Sequence, residues 1–169
     1  DNEKVNIINF YMNILDIMMT GKKVKKFIQK NKNKKNKKII KNNKKIILKL
    51  NKKYKSGISS SIKAGLKKIS KKNKGFIIVQ SDMPFIKSSD INKICNSIKK
   101  RKFLVHALKF KNKIGNPIGF DILVMKKFIK IKGDIGAKFM VKRLKKRTNF
   151  IKVTSGKVFK DFDFKKDFN

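Results

Sequence analysis

The sequence predicts an α/β domain built on a largely parallel sheet. Short apolar, β-branched runs such as Phe76-Ile77-Ile78-Val79 read as buried strands. Other segments repeat apolar residues at helical spacing, as Ala137, Met140, Val141 and Leu144 do at i, i+3, i+4 and i+7. The two kinds of segment alternate along the chain, which is the pattern of βα units. With 169 residues, 40% of them apolar and 14 of them Phe, there is material for one domain with its own core. The single cysteine, Cys95, has no partner in the chain and points to a reducing compartment. No apolar stretch approaches the roughly 18 residues that span a bilayer and no cleavable signal opens the chain, so the reading is soluble and cytoplasmic.

Taken in order, Ile8, Tyr11, Met12, Leu15, Met18 and Met19 fall at helical spacing and predict a helix over 1–20, stopped at Gly21. A short strand is expected over 24–28. Residues 30–45 are Lys or Asn except Ile39 and Ile40, which predicts an exposed loop or solvated helix. A strand over 45–50 follows, punctuated by Ser56-Gly57. Ser59-Ser60-Ser61 opens a helix through Ile62, Leu66 and Ile69, its hydroxyls available as caps. After the 76–79 strand, Ile91, Ile94, Cys95 and Ile98 mark a helix entered through 88–90. Residues 103–110 read as a strand, and Gly115-Asn116-Pro117 interrupts before an extended 118–120. Ile122, Met125 and Ile129 suggest a helix, Gly133-Asp134-Ile135-Gly136 a break, then the 137–144 helix and strands over 150–153 and 158–162.

The net charge is +38, from 48 Lys and Arg against 10 Asp and Glu. Such a charge binds polyanions weakly whatever the fold. Lysine rises together with Asn, Ile and Phe, the joint bias of an AT-rich coding sequence, and only Arg101, Arg143 and Arg147 are arginines. Base reading and bidentate phosphate grip favour arginine, so solvated lysine outweighs selection for specific nucleic-acid binding.

Acidic residues are scarce, so their placement is informative. Asp82 stands just after the 76–79 strand, where open α/β sheets bind ligands, although a carboxylate ahead of Pro84 also serves as a turn cap. His106, the lone histidine, lies inside an apolar run and reads as a sheet position in preference to a lone general base. Cys95 lies on the apolar side of its helix and reads as a packed thiol.

Five segments in chain order carry a family resemblance: Gly57-Ile58-Ser59-Ser60-Ser61-Ile62-Lys63-Ala64-Gly65-Leu66, Ser81-Asp82-Met83-Pro84, Gly115-Asn116-Pro117, Gly133-Asp134-Ile135-Gly136-Ala137, and the stretch from Lys160 through Asp161, Asp163 and Phe164 to Asp167. Together they resemble the MobA-like nucleotidyltransferases, and within them the molybdenum cofactor cytidylyltransferases. The resemblance implies a Rossmann-like three-layer sandwich of the nucleotide-diphospho-sugar transferase kind, in a single domain over 1–169. It implies transfer of CMP from CTP to the phosphate of molybdopterin, with Mg²⁺ as cofactor and pyrophosphate as product. A molybdoenzyme or its chaperone is the implied recipient, and neither a specific nucleic acid nor a membrane is implied as partner.

Carried over position by position, Asp82 is the implied catalytic and metal-binding aspartate of a Gly-Asp-x-Pro motif, with Ser81 in place of the glycine. Asp163 is the implied second metal ligand, Asp161 being the alternative, and Phe164 stands where a threonine is usual. Gly57 and Ser61 are the implied nucleotide-binding positions, Ser61 serving also as a possible helix cap. Asn116 and Asp134 fall on the implied acceptor side, where structural punctuation and helix entry are the alternatives. The family's opening Leu-Ala-Ala-Gly-x-Ser-x-Arg-Met-Gly loop has no counterpart, so the chain reads as N-terminally truncated or as a degenerate domain, its first strand and NTP loop missing, and the implied activity belongs to the complete protein. A guanylyltransferase of the same family is the nearest alternative. A basic polyanion-binding protein without chemistry is the alternative from another class.

Overall fold

The computed structural model describes residues 6–8, 51–67, 69–80, 83 and 85–160. Five strands form one sheet among them: β1 (Asn6–Ile8), β2 (Gly75–Ile78), β3 (Val105–Phe110), β4 (Lys113–Asp121) and β5 (Thr148–Lys152), ordered β1-β2-β4-β3-β5. β1 pairs parallel with β2 and β3 with β5, while β4 runs antiparallel to both neighbours. Four strands therefore share one direction and β4 opposes them, so the sheet is mostly parallel.

The opposed strand has a local cause. Only Lys111 and Asn112 separate β3 from β4, and a link that short permits only a hairpin. Lys111 turns it with φ +50°. Gly115-Asn116-Pro117, expected to interrupt the chain between strands, instead lies within β4.

Four helices cover the two faces: α1 (Ile58–Leu66), α2 (Ser88–Lys99), the short α3 (Met125–Phe128) and α4 (Ala137–Arg143). Alternation along β2 sends Phe76 and Ile78 to one face and Ile77 to the other. The first face packs against Ile62 and Leu66 of α1, Phe128 of α3, and Met140 and Val141 of α4. At its centre Phe76, Phe120 and Phe128 meet with ring centroids 4.9–5.7 Å apart. The second face packs against Ile94 and Ile98 of α2, both fully buried, each contributing about 1.5–3 kcal/mol by removal from water. Gly119 of β4 permits that approach, because a Cβ there would stand 2.9 Å from Ile98 Cδ1. Asp90 begins α2 as expected, its carboxylate accepting from Lys87 N at 3.1 Å. The result is a Rossmann-like three-layer sandwich.

Three further expectations fail. Residues 6–8 are a strand, where a helix over 1–20 was expected; β-branched residues there satisfy their backbone against β2, and sheet pairing overrides the helical spacing. The helix through 122–129 reduces to a 3-10 turn, Ile122–Val124, and one turn of α3, entered through the Asp121 carboxylate accepting from Leu123 N at 2.9 Å. Of the strand expected over 158–162, residues 158–160 instead form the end and exit of a 3-10 turn, Gly156–Phe159, begun by the Ser155 hydroxyl accepting from Lys157 N at 3.2 Å, and 161–162 lie outside the described residues. The readings over 24–28, 30–45 and 45–50 lie outside the described residues.

Candidate active site

The carboxyl edge of the parallel strands is where the chain places two groups of predicted residues. The first surrounds the start of α1. Gly57 occupies the N-cap with φ +93°, and a Cβ there would lie on the Gly133 carbonyl and 2.7 Å from Asp134 N. That contact brings the 133–134 loop onto the helix end. Gly133 O accepts from Ser59 N and the Asp134 carboxylate from Ile58 N, both at 3.2 Å. Asp134 thus caps α1 from 76 residues away in sequence, and Gly136 begins α4 as expected of a helix-entry residue.

Ser61 is not at the cap. It lies in the second half of the first turn, buried, and its hydroxyl accepts from Asn51 Nδ2 at 2.9 Å. The same amide donates to Ser60 Oγ at 2.8 Å, while Asn51 Oδ1 accepts from Lys53 N at 3.0 Å. Ser60 Oγ in turn lies 2.8 Å from Gly57 O and 2.9 Å from Lys53 O. Asn51 therefore organises both serines. Nothing in a sequence so rich in Lys and Asn distinguished it.

The second group lies across the sheet. Ala107 pairs with Ile118 but Leu108 with Gly115, so Asn116 and Pro117, joined by a cis peptide bond, bulge from the β3 ladder. Toward β2 the pairing ends at Ile78 and Ile118, and two residues beyond each of them stand Gln80 and Asn116. Asn116 Nδ2 donates to Gln80 Oε1, while Asn116 Oδ1 is buried without a partner among the described residues. Gln80 was not singled out in the sequence, although it immediately precedes Ser81-Asp82. Asp82, Asp161 and Asp163 lie outside the described residues, and among the described residues no group of three or more His, Cys, Asp or Glu gathers to hold a metal.

His106 stays out of this chemistry. It is fully buried in β3, its Nδ1 2.7 Å from Ser97 Oγ, which also accepts from Asn149 Nδ2 at 2.7 Å. This chain ties α2 to β3 and β5, a sheet position as expected. Burial lowers the imidazole pKa to about 4, against weaker opposing effects of the Phe103 backbone and Asp121. The unfolded chain thus binds the extra proton first as pH falls. The imidazole's contribution is complete above about pH 6.5 and is lost as pH drops through 6.5 toward 4, about 3 kcal/mol in all. Urea unfolding between those limits should show His106→Gln less acid-sensitive than the parent; parallel curves would refute the assignment. Cys95 is half-buried against the second core cluster and burial raises its thiol pKa, which suits a packed thiol.

A family model for the MobA-like NTP transferase domain matches residues 31–148, well over half of the chain. The chain belongs to the MobA-like NTP transferase family. The matched span includes Gly57, Ser61, Asp82, Asn116 and Asp134 and ends before Asp163. No curated protein matches the chain significantly.

Several solved structures share this fold, among them two with a TM-score above 0.5. One is a homolog, from Mycobacterium sp. strain JC1, of the Mycobacterium tuberculosis protein Rv0371c; it is 21% identical with a TM-score of 0.53, over 65% of this chain and 54% of that one. The other is the 4-diphosphocytidyl-2C-methyl-D-erythritol synthase of Anaerococcus prevotii DSM 20548, 15% identical with a TM-score of 0.53, over 79% of this chain and 71% of that one. This chain thus spans about half the length of the first of them.

Proposed function

We propose that this MobA-like domain serves a nucleotidyltransferase that moves CMP from CTP to the phosphate of a molybdopterin-type acceptor. An acceptor phosphate oxygen would bond to the α-phosphorus as the bond to the β-phosphate bridge breaks, releasing pyrophosphate. The observation that carries the reading is the Asn116 bulge held against Gln80, directly ahead of Ser81-Asp82 and inside the span that matches the family. It joins two motifs 36 residues apart at the edge where α/β sheets bind ligands.

Asp82 and Asp163 are the proposed ligands of a Mg²⁺ ion, carboxylate oxygens being what a hard cation takes. The unpartnered Asn116 carbonyl oxygen adds an oxygen donor beside the strand end that leads to Asp82, so the donor chemistry suits that ion. When bound, Mg²⁺ offsets the negative charge that gathers between the phosphates. Asp82 is the proposed catalytic residue, since its carboxylate positions that charge-neutralising ion. Gly57 and Ser61 read the cytosine, with Asn51 fixing the Ser61 hydroxyl. Asn116 and Asp134 border the acceptor, Asp134 while anchoring its loop to α1. A cytoplasmic setting and delivery of the product to a molybdoenzyme or its chaperone follow from this reading. Among the described residues no helix is long and apolar enough to cross a membrane.

Competition between CTP and GTP with a molybdopterin acceptor tests it. CTP should be preferred by at least about tenfold, because a site that hydrogen-bonds one base leaves polar groups unpaired against another. Ser61→Ala should narrow that preference more than it slows transfer. The assay uses the chain restored with an upstream NTP loop: a GTP preference would move the protein to the guanylyl branch, and the absence of pyrophosphate release with either nucleotide would refute transfer.

A further inference from the structure

Large apolar side chains exposed to water are few among the described residues, and they cluster. Of the four, Phe85, Leu123, Ile129 and Phe139, three fall between 123 and 139, with Leu123 at 66% and Ile129 at 65% exposure. Leu123 and Phe139, with Ile131 and Ile135, line a groove of about 710 Å³ between α3 and α4. The remaining five lining residues are all cations, among them Lys126, Lys130 and Arg143. None is acidic. Lysine is common everywhere on this chain, so the cations alone carry little; Leu123 and Phe139 left open to water inside a wholly basic rim, above the more buried Ile131 and Ile135, are a different matter.

We infer that this groove docks an acidic amphipathic segment of a partner protein, seating apolar side chains on the floor and carboxylates on the rim. Charge complementarity selects the sign of the partner and the floor selects its second character. Single-stranded nucleic acid fits less well. Its bases need free aromatic faces, and the Phe139 ring is already covered by the Arg143 guanidinium, 6.0 Å from the ring centroid. A bilayer surface fits less well too, since helices of four and seven residues offer no long apolar stripe to lie in an interface. The inference stands apart from the transferase reading and uses none of its residues.

The test is fluorescence anisotropy with two labelled peptides of identical composition, at roughly 0.15 M salt so that diffuse attraction is screened. In one, Leu and Phe share a helical face opposite Glu; in the other the order is shuffled. The amphipathic peptide should bind about tenfold tighter or better. Leu123→Asp combined with Lys130→Glu should abolish that advantage, both positions being exposed enough to leave the fold intact by circular dichroism. Lys71→Glu with Lys72→Glu, a larger charge change on an exposed turn elsewhere, should preserve it. Equal binding of the two peptides, or equal loss in the two double variants, would overturn the inference. So would an oligonucleotide whose binding falls in the groove variant while the peptide's does not.

Discussion

In the chain restored with an upstream NTP loop, Asp82→Asn is expected to lower Mg²⁺-dependent pyrophosphate release by on the order of a hundredfold or more, while the domain stays folded. The substitution keeps the size of the side chain and removes one negative charge from the place where the cation is proposed to sit. A hundredfold corresponds to about 2.7 kcal/mol of transition-state stabilisation, a modest share of what a bound divalent cation supplies. The same variant separates the two classes of function. A chain of net charge +38 should bind arbitrary DNA as well as before or slightly better, with affinity falling steeply in salt. Unchanged turnover in Asp82→Asn would place the ion on other ligands.

How far the sequence spoke for this fold depended on whether a feature was local. The buried run at 76–78, the Asp90 entry to α2 and the helical spacing of 137–143 are set by neighbours in sequence, and each stands where the pattern placed it. The β3–β4 hairpin was misread because a lysine at φ +50° does the turning, while of the usual turn residues Gly115 pairs with Leu108 and Pro117 sits in a bulge. The site divided similarly. Gly57, Asn116 and Asp134 were visible as motif positions, but what holds them was not. Asp134 meets Ile58, Asn51 meets Ser61 and Gln80 meets Asn116 only after folding, through side-chain bonds spanning 76, 10 and 36 residues. A polar residue whose role is to orient another carries no pattern of its own in a sequence where amides and lysines are everywhere.

Gly57→Ala should destabilise the domain by about 3–5 kcal/mol, a large fraction of the 5–15 kcal/mol typical of such domains. A side chain at φ +93° and ψ 171°, a region essentially reserved for glycine, costs about 1–3 kcal/mol by itself. The rest comes from crowding that cannot relax cheaply, since the added methyl would meet backbone atoms of Gly133 and Asp134 and no flexible side-chain tip. Relief requires the 133–134 loop to withdraw from α1, which gives up the Gly133 O bond to Ser59 N and the Asp134 bond to Ile58 N, each about 1 kcal/mol. Gly133→Ala gives a positive-φ cost without crowding, for Gly133 has φ +66° and nothing lies within 4 Å of where its Cβ would go. That variant should lose only about 1–2 kcal/mol. Urea unfolding of the two side by side is decisive: equal losses would mean that the loop does not clasp the start of α1, and with it would fall the reading that Gly57 and Asp134 form one end of the site.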